Sequence, residues 1–415
     1  MCSADAPSNS KRTSASNLNS ETEAAPQGGF ARYHGSNLLF RAALVLVLTA
    51  ALLSAQAPRS FQQIVAQADA AADQNQLDRA AKLYYEALQL RSEWKEGWWK
   101  LGTTLYDGNK FEEAKSAFEK LLAIEPENGT GHLFLGLCQY ELNEDAPALA
   151  NITKARELGI LADPALRKVM LYHEAMLELR RSAFETALGT LKQLDQQGAD
   201  TAEAQLAWGM ALLRMKPQEL SAEGTRERQI VAQLGHAQQL TARKDFDSAR
   251  HEFETVVASA PDMPNIHYGF GHFLLEVHDP EAAIAQFQLE LKRDPQDVFA
   301  RLQIAAAHYR TDSAAGVPFA QEAVRLDPAL PFGHYLLGLL LLDSGDAAKA
   351  VPELEAARRA FANEPKLYFA LGNAYAKLGR AQDAAAARKE FVRLQNSEAP
   401  PESAVYGDAQ RPSPH

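Results

Sequence analysis

The chain has 415 residues, 46% of them hydrophobic and 23% charged, which is enough apolar material for several folded domains or one long array. A formal net charge of -11 argues against the clustered Lys and Arg surface on which phosphate-backbone binding rests, so nucleic acid is not an expected partner. Cys2 and Cys138 are the only cysteines; they exclude a disulfide framework, and neither has a partner at metal or redox spacing.

Residues 1–37 are rich in Ser, Asn, Ala and Gly, a composition that cannot offset the entropy of ordering and predicts disorder. Arg41 then precedes an apolar run from Ala42 to Ala55, and Ala55-Gln56-Ala57 is spaced like a signal-peptidase site. Residues 1–57 are thus expected to be a disordered segment followed by a signal peptide or membrane anchor. The run spans about 21 Å as a helix, short of the roughly 30 Å hydrocarbon core, which favours removal. Pro58 and the long leading segment favour retention. Lys11, Arg12, Arg32 and Arg41 hold the N-terminus in the cytoplasm in either case. The expected location is therefore outside it: periplasmic, or at the outer face of the inner membrane through residues 42–57.

A 34-residue period follows. Its clearest unit, 95–128, carries Trp98, Leu101, Gly102, Ala114, Phe118 and Pro126 at its fourth, seventh, eighth, twentieth, twenty-fourth and thirty-second places. In the same frame, 264–297 has His267, Phe270, Gly271, Ala283, Phe287 and Pro295; 331–364 has His334, Leu337, Gly338, Ala350 and Leu354; 365–398 has Tyr368, Leu371, Gly372, Tyr375 and Ala384. Weaker units begin near Phe61 and at residues 129, 168 and 230. The unit from Val298 to Leu330 is one residue short, its turn contracted around "TDSAAG". Nine units result.

These residues resemble the tetratricopeptide repeat, a helix-turn-helix unit with the signature W-x2-L-G-x2-Y, then A-x3-F, then P. The resemblance covers residues 61–398 and implies an all-α, right-handed α-solenoid of about nine to ten units. A small residue at the eighth and twentieth places lets the two helices approach, the large fourth and twenty-fourth residues fill the space around them, and Pro ends the second helix. Between Thr201 and Ile230 the period fails. "AEAQLAWGMALLRMK" reads as one helix, but "PQELSAEGTRE" is too polar and broken to be its partner. A front block, 58–201, is thus separated from a back block, 230–398, by a degenerate repeat or hinge at 202–229, and a Pro- and Ser-rich tail, 399–415, is expected to be disordered.

No nucleotide, hydrolase or zincin motif is present; "HEAML" from His173 ends in Leu where a second His would stand. His267, His272 and His278 lie close in sequence, but His267 holds a packing place and His272 is off its face, so no metal and no cofactor are expected. No unassigned stretch exceeds about 60 residues, too short for a catalytic domain. In the family, the fifth, ninth, twelfth and thirteenth places of the first helix line the concave face. This assigns Trp99, Tyr106, Tyr140, Tyr268, His272, Tyr309, Tyr335, Phe369 and Asn373 to a partner-binding groove, whereas Trp98 belongs to the packing. Asn373 matches the Asn of a carboxylate clamp, but Phe369 stands where its Lys would be. The expected function is non-enzymatic: a scaffold or adaptor of the cell envelope holding a protein or peptide segment with apolar anchors and some basic character. The alternative is a glycan or lipid ligand in the same groove.

Overall fold

The computed structural model describes residues 59–396 except 161, 162 and 310. The expectations for residues 1–57 and 399–415 fall outside the described residues. From Phe61 onward the chain forms one unit. Nineteen α-helices and one 3-10 turn make up its regular structure among the described residues.

Nine antiparallel helix pairs fall on the nine predicted repeats. The front block has α1 (Phe61–Asp73) with α2 (Leu77–Leu90), α3 (Lys95–Asp107) with α4 (Phe111–Ile124), α5 (Gly129–Glu141) with α6 (Asp145–Leu158), and α7 (Pro164–Arg180) with α8 (Phe184–Gln196). One unpaired first helix, α9 (Ala202–Leu212), follows. The back block has α10 (Arg226–Ala242) with α11 (Phe246–Ser259), α12 (Ile266–Glu276) with α13 (Pro280–Arg293), α14 (Val298–His308) with α15 (Ser313–Leu326), α16 (Pro331–Asp343) with α17 (Ala347–Ala357), and α18 (Pro365–Lys377) with α19 (Ala381–Gln395). Each second helix packs on the next first helix, and most first helices of successive units also touch. The layer whose members lie close is the inner wall of a curved stack, so the chain is an α-solenoid with the first helices inside.

The turn inside each unit has a common cause. Its fifteenth residue is left-handed in eight of the nine units: Asn75, Asn109, Asn143, Ser182, Lys244, His278, Gly345 and Gly379, with φ between 56° and 92°. Asn and Gly adopt this conformation most readily. The exception is the contracted unit, where Asp312 (φ -148°) accepts a hydrogen bond from Ala315 N instead. His278 is thereby a turn residue.

The fourth place does more than pack. Trp98 Nε1 donates to Ser92 O at 2.7 Å, His132 Nε2 to Pro126 O at 2.9 Å, Arg301 Nη2 to Pro295 O at 2.6 Å and His334 Nε2 to Pro328 O at 3.0 Å. Each satisfies a carbonyl six residues upstream, in the turn between units. The eighth-place glycines meet the second helix as expected. A Cβ on Gly102 would stand 2.8 Å from the Phe118 ring, on Gly271 2.6 Å from that of Phe287, and on Gly338 2.6 Å from Leu354.

Residues 202–229, expected to be a degenerate repeat or hinge, are packed throughout the α9 helix. The helix begins at a Thr201 side chain that accepts from Ala204 N and ends at Arg214, which is left-handed like the other in-unit turns. Its second helix is missing; Pro217–Glu219 form only a 3-10 turn. α10 takes the vacant place and packs closely along α9. A Cβ on Gly209 would lie 1.9 Å from Val231 O, and one on Gly235 1.7 Å from Gln205 O, so backbone meets backbone. The largest hydrophobic cluster runs from Leu171 to Ile304 directly through this junction, with Trp208, Met210, Leu212 and Leu213 buried in it.

Candidate functional site

In the front block the groove places bring aromatic rings together. Trp99 is half-buried, edge-on to Phe134 at 5.0 Å and to Phe118 at 5.8 Å. Tyr106 lies edge-on to the same Phe134 at 5.9 Å and to Phe111 at 5.4 Å. One unit on, Tyr140 meets His173 at 4.8 Å, and His173 meets Tyr172 at 5.3 Å. The Arg180 guanidinium sits 3.9 Å over the Tyr140 ring and pairs with Asp145 at 2.8 Å. Edge-to-face geometry lets such rings hold one another in place while keeping one side available. Trp99, Tyr106, Phe134, Tyr140, Tyr172 and His173 all keep part of their surface in solvent.

Burial sets the ionisation of this surface. It pushes the phenols of Tyr106 and Tyr172 up to about 12, raises Tyr140 and lowers His173. The rings are therefore neutral near pH 7, and Arg180 supplies the positive charge beside them. Asp107, at the thirteenth place of its unit, is raised by desolvation.

In the back block three predicted groove residues are corrected. Tyr268, His272 and Tyr335 are each 2% exposed and belong to the packing. Tyr335 is covered by Phe361, ring centres 5.1 Å apart, in the segment leading into α18. Tyr268 and His272 are covered by the chain itself. Glu185 of α8 lies 3.5 Å from the Tyr268 hydroxyl and 3.6 Å from His272 Nε2. The Arg214 guanidinium sits 3.5 Å from the Phe299 ring centre, 5.1 Å from that of Phe184 and 5.4 Å from that of Tyr268. Gln303 Nε2 closes the far side, donating to the Tyr268 hydroxyl at 3.1 Å. The groove here is filled by α8 and by the turn after α9. Tyr309 caps α14 and is half-buried against the last core cluster. In the final unit Phe369 is 53% exposed beside Phe391, ring centres 5.4 Å apart, and Asn373 is half-buried.

The nine predicted residues thus divide. Trp99, Tyr106 and Tyr140 share one aromatic surface, Phe369 and Asn373 lie on the last first helix, Tyr309 stands apart, and three are interior. Tyr172 and Arg180 were missed, although they occupy the fifth and thirteenth places of the unit 168–201; the same positional rule finds both. Phe134 has no such signal, since it fills the sixth place. Cys138 is buried, and burial pushes its thiol up to about 12, the state of an inert core residue. No group of three or more His, Cys, Asp or Glu able to hold a metal occurs among the described residues. Nor is any helix among them long and apolar enough to cross a membrane.

Comparison with known proteins adds the following. Tetratricopeptide repeat family profiles match residues 95–128, 234–298 and 335–399. Among solved structures, MamA (residues 41 to the end) from Desulfovibrio magneticus RS-1 aligns at 20% identity over 41% of this chain and 97% of its own, with a TM-score of 0.39. Yeast Tom70 aligns at 14% identity over 80% of this chain and 85% of its own, with a TM-score of 0.32. Cut9–Hcn1, an APC/C hetero-tetramer, aligns at 13% over 84% and 89%, with a TM-score of 0.34. No curated protein matches the sequence.

Proposed function

Because this chain is a tetratricopeptide repeat protein, we propose that it is a non-enzymatic scaffold that holds a segment of a partner protein against the aromatic surface of its front block. The observation that carries the reading is the run from Trp99 through Phe134 to Tyr106, continued by Tyr140, His173 and Tyr172. Half-buried aromatic side chains with fixed neighbours lose little entropy on binding and are over-represented among hot spots. The rings suit apolar anchors, and Asp107 and Glu141 at the ends of α3 and α5 suit a segment with some positive charge.

The apolar run 42–55 supports placing this scaffold in the cell envelope, with the repeats outside the cytoplasm. Fractionation of cells, with N-terminal sequencing of the mature chain, tests that location.

The binding surface is tested by a photo-crosslinking residue at position 99 or 106 in living cells, with mass spectrometry of the products. One dominant protein adduct is expected, and Trp99→Ala with Tyr106→Ala should weaken its capture at least tenfold. A correctly folded array that captures no protein from either position sinks the reading in favour of a glycan or lipid ligand.

A further inference from the structure

A recess of about 170 Å³ opens between α8 and the back block. Its walls include Glu185 and Lys192 of α8, Trp208 of α9, Gln238 of α10, and His272 and Glu276 of α12. It lies beside the self-filled part of the groove, so it is the space that α8 leaves over.

Donors and acceptors in this recess do not balance. Gln238 is 2% exposed, and its Nε2 donates to Glu276 Oε2 at 3.0 Å, but its Oε1 accepts no hydrogen bond. A buried acceptor without a donor is unfavourable. Beside it, the carboxylate of Glu276 has only this amide as a hydrogen-bond partner among the described residues. Glu185 is turned toward His272 and Tyr268. Lys192 is the exposed member of the set, and Trp208 supplies an apolar wall with 2% exposure. Lys192 brings a cation to the rim and His272 faces Glu185; what the recess still lacks is a flat, donor-only group that reaches Gln238 Oε1 and Glu276 together.

Arginine supplies such a group. Its guanidinium has five N–H donors and no acceptor, is planar, stacks on aromatic rings and is more weakly hydrated than an ammonium. The volume suits a head group and is below the roughly 300–1,000 Å³ of whole-ligand pockets. We propose that this recess takes the guanidinium of an arginine side chain presented by a partner, with Gln238 Oε1 and Glu276 as acceptors and Trp208 as the wall. The proposal rests on the scaffold reading only in drawing the arginine from a partner chain; the selectivity for a guanidinium belongs to the recess.

Calorimetric titration of the full chain with L-argininamide, L-lysinamide and the peptide acetyl-Gly-Arg-Gly-amide tests it. Saturable binding of L-argininamide is expected, at least tenfold tighter than L-lysinamide, with the peptide binding at least as tightly. Glu276→Gln, which keeps size and shape, and Gln238→Leu should each weaken binding tenfold or more, with circular dichroism verifying the fold. No binding of L-argininamide or the peptide to the folded wild-type chain would overturn the proposal. So would equal binding of lysinamide, or affinities unchanged in both variants. Binding of L-argininamide with none of the peptide would overturn the partner assignment and leave a free guanidine compound as the ligand. Capture from position 99 is read independently, so failure of either result leaves the other standing.

Discussion

The regular unit 95–128 and the junction at 202–242 solve one packing problem in two ways. In the regular unit, a glycine on the first helix receives a ring from the second, as Gly102 receives Phe118. At the junction the second helix is absent, and Gly209 and Gly235 let α9 and α10 come together backbone to backbone. A ring can turn or slide by a few tenths of an ångström, whereas a carbonyl held in a helical ladder cannot. The junction, which has lost the consensus, is therefore less tolerant than the unit 95–128.

The largest test of that difference is Gly235→Ala. With its Cβ 1.7 Å from Gln205 O, the helices must separate, and the expected loss is about 3 kcal/mol or more in chemical denaturation. A loss below about 1 kcal/mol would mean that the junction yields as easily as a regular unit.

The flank of the junction offers a second test through pH. Glu178 on α7 is buried, and burial pushes its carboxyl up to about 8. The folded chain keeps this proton well above the pH at which the unfolded chain, with an ordinary value of 4.5, has released it. The stability it contributes is thus full below about pH 4.5 and is lost as pH rises toward 8. Glu178→Gln, permanently neutral, should be the more stable protein at pH 8 by on the order of 2 kcal/mol, and the gap should close near pH 5. Melting curves at the two pH values measure it; equal gaps would place the carboxyl in solvent.

Gly102→Ala is the smallest of the three. Its Cβ would press on the Phe118 ring at 2.8 Å, and a loss of about 1 kcal/mol is expected. Comparing it with Gly235→Ala under one denaturant turns the ring-versus-backbone contrast into a ratio.

Most of the architecture was legible because the repeat writes its packing at fixed places: Gly102, Ala114 and Phe118 recur in kind, and the left-handed turn recurs as Asn or Gly often enough to be seen. The front aromatic surface was legible for the same reason, with Trp99, Tyr106 and Tyr140 read from position alone. Tyr268 and His272 were misread because what covers them is not periodic. Glu185 is 83 residues from Tyr268, and Arg214 reaches its three rings from the turn after α9, where the repeat frame is broken. The polar stretch after Lys216 suggested a loosening, but the compensating signal lies further along, in Thr225 and the Gly235 of the next helix.

In a linear array each unit is stabilised mainly by its neighbours, so the order in which units let go follows the local coupling. Here the largest apolar core among the described residues lies in the middle, running from Leu171 to Ile304, and the end units have a neighbour on one side only. Unravelling should therefore begin at both ends and converge on α9 and α10, whose amides should be the last to exchange with solvent. A nascent chain must reach Ala242 before that centre can close, so the front block spends its first moments without the support on which its last helix depends.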